Sequence, residues 1–140
     1  MSQAVNKARP ATEHHLQVQS ITWFAWQYPL LDGLLFAIPN GGHRHRAVAG
    51  KLKAEGVRSG VADLFLSMAR QGNHGLYIEF KTPSGRQNNA QKFFQQRVTA
   101  EGYAYVIVRG LDDFQDAIND YLAPATLPGL PGHGAGLQYA

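Results

Sequence analysis

The chain has 140 residues, 44% of them hydrophobic and 16% charged, which is one domain's worth and enough to bury roughly two-thirds of the unfolded surface around a single core. Without cysteine it has neither disulfides nor thiolate metal sites, so any metal must sit on oxygen or imidazole ligands, and no apolar run is long enough for a signal peptide or a membrane span. The net charge of +3 is mild but segregated: Arg44, Arg46, Lys51, Lys53 and Arg58 face a lone Glu55, whereas Asp112, Asp113, Asp116 and Asp120 follow the last arginine, Arg109. A basic middle suits a phosphate backbone or a solvated surface.

In chain order, residues 1–11 form a polar, flexible arm, and Thr12 is placed to cap a helix over 13–28 that Pro29 ends, with Leu16, Ile21, Phe24 and Tyr28 inward and Trp23 and Trp26 in core or interface. Residues 34–38 read as a short buried strand closed by Pro39-Asn40-Gly41-Gly42. A helix over 47–55 stops at Gly56. Strands at 63–68 and 76–81, joined by Arg70-Gln71-Gly72-Asn73, make an antiparallel hairpin.

After the Pro83-Ser84-Gly85 break the spacing predicts a helix over 89–100 with Ala90, Phe93, Phe94, Arg97 and Val98 on one side, ended by Gly102. Residues 103–108 are nearly all apolar and read as a central strand; following a crossover helix, it runs parallel to the strand before it. Residues 111–122 form the last helix, with Leu111, Phe114, Ile118, Tyr121 and Leu122 inward. The Pro- and Gly-rich stretch 123–140 is a flexible tail or an arm that orders on a partner, which leaves 12–122 as the foldable domain. The expected fold is α/β, a mixed sheet of about four strands flanked by helices.

Chemistry concentrates in Asp63 and in Glu79-Phe80-Lys81. Strand side chains repeat every second residue, so Glu79 and Lys81 share a face, and two carboxylates on neighbouring strands can hold a divalent cation against a phosphate. Taken singly, each is as readily a surface charge or a turn residue. Taken in order with Glu13 and Gln17 on the first helix, Pro39-Asn40-Gly41-Gly42 with its basic residues, residues 56–64, and Gln91, the set resembles the VRR-NUC branch of the PD-(D/E)XK nuclease superfamily, of the stand-alone phage and bacterial type. Ala62 stands where that family usually has proline, a difference of backbone shape.

The resemblance implies a restriction-endonuclease-like core and a metal-dependent, structure-selective DNA endonuclease, a homodimer acting on branched DNA such as four-way junctions in replication, recombination or repair, in the cytoplasm of a bacterial or phage-infected cell. It implies Asp63, Glu79 and the Phe80 carbonyl as ligands of Mg2+ or Mn2+, Glu13 as a further ligand or one acting through water, and Lys81 as the residue that orients or deprotonates the attacking water. Gln17 is a surface glutamine or a partner behind Glu13. Gln91 either caps its helix by reaching back to Asn88, with Ser84 and Gln87 as a competing cap, or points at the water and Lys81; its place in the motif favours the second. Asn40, Gly41, Gly42, His43, Arg44, Arg46, Lys51, Lys53 and Arg58 are the expected DNA contacts. His43 and His45 lack further ligands at zinc spacing. Two other readings share the fold: a DNA-binding module without catalysis, and a sequence-specific restriction-type nuclease.

Overall fold

The computed structural model describes residues 12–40 and 46–124. Four helices and four strands follow in the order α1 (Glu13–Gln27), β1 (Leu35–Ala37), α2 (Arg46–Ala54), β2 (Leu64–Leu66), β3 (Leu76–Phe80), α3 (Asn89–Ala100), β4 (Ala104–Val108) and α4 (Leu111–Leu122). The strands form one sheet in the order β1-β2-β3-β4, antiparallel across the first two pairings and parallel between β3 and β4. This is the expected mixed α/β sheet. Thr12 caps α1 by accepting from His15 N at 3.1 Å, and Gly56 (φ 98°) and Gly102 (φ 90°) end α2 and α3 in the left-handed conformation that glycine adopts without steric cost.

The pleat sorts the side chains. Leu64, Leu66, Leu76, Ile78, Phe80 and Val108 lie on one face and pack with Leu16 and Phe24 of α1 and Phe114 and Ile118 of α4. Phe65, Tyr77, Glu79 and Tyr105 lie on the other, where Phe94 of α3 meets Tyr77 and Tyr105 edge-on at 5.2 and 6.3 Å. The hydrophobic core thus lies on one side of the sheet, and the charged strand positions lie on the other.

Three burial expectations are corrected. β4 is an edge strand, because helices cover both its faces and make it apolar without making it central. β1 is the opposite edge, with Phe36 exposed rather than buried. In α1 the inward stripe runs Leu16, Ser20, Phe24; Ile21 sits off this line, and Trp26 is 83% exposed, although Trp23 does pack on the core. In α3, Ala90, Phe93, Phe94, Arg97 and Val98 do share one side, where they line a groove; of these Phe94 and Val98 are half-buried.

Gly60 joins the sheet to α3. Its φ is +86°, and a Cβ there would stand 2.7 Å from the carbonyl carbon and Cβ of Ala90. Gly60→Ala is therefore expected to cost about 2 kcal/mol or more, from left-handed strain plus a backbone clash. Urea unfolding measures this, and a midpoint equal to the wild type would contradict it.

Candidate active site

Asp63 opens β2 and Glu79 lies near the end of β3, on adjacent antiparallel strands. The antiparallel register brings them together, since Asp63 N donates to Ile78 O at 3.0 Å and Phe80 N donates to Asp63 Oδ2 at 2.7 Å. Asn40 Nδ2 donates to Asp63 Oδ1 at 3.2 Å. Burial pushes the Asp63 carboxyl above the usual range; the charges of Glu13 and Glu79 push the same way, and the Phe80 N–H and Lys81 oppose them. Glu13, exposed on the first turn of α1, thus lies within electrostatic reach of the Asp63 carboxylate.

Glu79 is 1% exposed. Its Oε1 accepts from the Tyr105 hydroxyl at 2.5 Å and from Gln87 Nε2 at 3.1 Å, while Oε2, equally buried, has no hydrogen-bond partner among the described residues. Burial first, and then the hydrogen bond to Glu79, push the Tyr105 phenol well above its ordinary ionisation, so it stays a donor. Lys81 is also buried, and its backbone N donates to Val108 O at 2.9 Å, which keeps β3 and β4 in register past Glu79. Beyond it, Arg109 Nη1 donates to the carbonyls of Thr82, Pro83 and Gly85 at 2.9, 3.3 and 2.6 Å and pins the turn that leads to Gln87.

An unpartnered carboxylate oxygen inside a fold is costly unless a cation or a proton meets it. With Asp63 on the next strand, the donors are hard oxygens suited to Mg2+ or Mn2+, and the residues fit such an ion. Among the described residues no three His, Cys, Asp or Glu side chains cluster closely enough to hold a metal by themselves. A cation here would therefore need a backbone oxygen, water or phosphate to complete its shell.

Gln91 takes the cap. Its Oε1 accepts from Asn88 N at 2.9 Å while its own N donates to Asn88 Oδ1 at 2.9 Å, a closed capping box. The expectation that Gln91 points at Lys81 is corrected: the glutamine that reaches the Glu79 carboxylate is Gln87, which also donates to Gln95 Oε1 at 2.9 Å and so does not form the competing cap with Ser84. Gln17 is half-buried one turn after Glu13. Tyr105, Gln87 and Arg109 carry no motif. Strand parity could have found Tyr105, because Tyr77 pairs with Tyr105 and shares its face with Glu79.

Of the expected DNA contacts, Asn40 is turned onto Asp63, and Lys51, Lys53 and Arg58 are exposed. Gly41, Gly42, His43, Arg44 and the side chain of Arg46 lie outside the described residues, as do 1–11 and 125–140. Arg58 lines an open groove of about 660 Å³ with Val61, Phe93 and Arg97, and the Arg97 guanidinium carbon lies 5.6 Å from the centre of the Phe93 ring. No helix among the described residues is long and apolar enough to cross a membrane.

The sequence model of the VRR-NUC domain matches residues 6–112. A solved structure described as a VRR_NUC domain protein superposes with a TM-score of 0.70 at 29% sequence identity, covering 81% of this chain and 90% of that one. No curated protein matches the chain.

Proposed function

Because the chain belongs to the VRR-NUC domain family, a nuclease-type domain that binds DNA, we propose that it is a divalent-metal-dependent endonuclease hydrolysing phosphodiester bonds of branched DNA, such as four-way junctions, as a homodimer. The observation that carries the metal dependence is Glu79 Oε2, a buried carboxylate oxygen without a donor among the described residues, one strand from Asp63. Asp63, Glu79 and the Phe80 carbonyl would hold Mg2+ or Mn2+, with Glu13 beside them directly or through water. When bound, such an ion polarises the phosphate, lowers the pKa of water and stabilises the leaving oxygen.

The protein's own residues do the rest. Asp63 is fixed by the Phe80 N–H and Asn40, so its carboxylate does not rotate away as substrate enters. Lys81, two residues after Glu79 on the same face, orients the attacking water, takes or relays its proton, and offsets negative charge gathering on the phosphate. Arg58 and Arg97, which line one groove, would meet backbone phosphates, while Lys51, Lys53 and the basic turn at residues 40–46 would extend the contact. Two copies related by a two-fold axis would cut two strands symmetrically.

The test is a cleavage panel of fixed four-way, flapped and linear duplexes with Mg2+ or Mn2+ omitted and restored. Cutting of branched forms only, abolished by chelation and regained with either ion, is expected. Binding without cutting would instead support a DNA-binding module, and cutting confined to one sequence a restriction-type enzyme.

A further inference from the structure

Glu79 is held from one side. Tyr105 and Gln87 both donate to Oε1, and neither donates to Oε2. Tyr105 comes from β4 and Gln87 from the segment before α3, so the clamp closes from two elements, and Gln87 is itself braced by Gln95. The turn between Lys81 and Gln87 is in turn pinned by Arg109. With two donors already on Oε1, the carboxylate cannot offer both oxygens to one ion without breaking these bonds.

We propose that Tyr105 and Gln87 are positioning residues that fix Glu79 as a one-oxygen ligand, and that this clamp selects Mg2+ or Mn2+ over Ca2+. The inference rests on the metal-dependent reading given above. Ca2+ gathers roughly six to eight oxygens in loose geometry and often takes both oxygens of a carboxylate, whereas Mg2+ demands a near-octahedral shell and is content with one oxygen from each. A Glu79 free to turn would serve Ca2+ better, and a Glu79 held by Tyr105 serves the smaller ions. The phenol touches neither substrate nor water in this scheme and acts only through Glu79.

Calorimetric titration of the full chain with MnCl2 and with CaCl2, without DNA, separates the possibilities. Tyr105→Phe is expected to weaken Mn2+ binding by about 10-fold, within the range seen when groups behind a metal ligand are lost, and to weaken Ca2+ binding less, so the Mn2+/Ca2+ preference narrows. Turnover with Mn2+ should drop while KM for DNA stays unchanged. Should Tyr105→Phe fail to fold, Gln87→Met removes the second donor and should narrow the preference in the same direction. A preserved Mn2+/Ca2+ ratio in whichever of these variants folds overturns the clamp alone. A wild-type protein that binds neither ion overturns the metal reading together with it.

Discussion

Lys81→Met is expected to lower the cleavage rate by about 10²- to 10⁴-fold, the range lost when a positioned proton-transfer group or a transition-state charge partner is removed. Methionine keeps the apolar stem in its buried setting, so the fold should melt at or above the wild-type temperature. Mn2+ binding should hold or tighten, because the Lys81 charge works against a second cation beside Asp63, just as it lowers that carboxyl's pKa. The split matters more than the loss. A rate drop accompanied by an equal drop in metal affinity would make Lys81 part of the scaffold of the ion site, and a rate within about tenfold of the wild type would remove it from the chemistry.

The split is testable because Lys81 and Glu79 share a face, and that much was legible from strand alternation. So was the antiparallel hairpin, since Gln71 and Gly72, with φ of 50° and 79°, form the tight turn that Arg70-Gln71-Gly72-Asn73 suggests. α3 and α4 begin and end where the sequence placed them, because a closed capping box and Gly102 bracket the first and Gly110 precedes the second. Burial was less legible. A strand covered by helices on both faces looks central wherever it lies, which is why β4 misleads, and a small buried Ser20 breaks the apolar pattern that marks a helix stripe. The carboxylate pair was visible as a motif, but its supports were not. Tyr105 lies 26 residues from Glu79 and reaches it only through the parallel register of β3 and β4. Gln87 lies in a segment with no periodicity at all, and Gln91, which carries the motif position, is drawn into the cap by Asn88 because a helix N-terminus leaves backbone N–H groups in need of acceptors.

Glu79→Gln is expected to abolish cleavage by more than about 10³-fold and yet to stabilise the metal-free protein by about 1 kcal/mol. The amide oxygen can still accept from Tyr105 and Gln87, so the clamp survives, while the interior loses a carboxyl oxygen that has no donor among the described residues. Thermal melts with and without MnCl2 read both effects. Ligand binding to the native state alone raises wild-type stability, by about 2.7 kcal/mol at one hundred times the dissociation constant, and the variant should gain little of this. A third readout follows from the charges around Asp63. Burial is the main reason its pKa is raised, with Glu13 and then Glu79 adding to it, so removing the Glu79 charge must move the Asp63 titration downward. In the metal-free wild type the raised value means that the native state holds a proton the unfolded chain has already released. Stability from this group is therefore present below the ordinary carboxylate range and is lost as pH climbs through the raised value; in the variant that loss should be smaller and complete at lower pH. A variant that melts lower without metal, or that still gains full stability from Mn2+, would remove Glu79 from the cation site and leave its buried oxygen without a function.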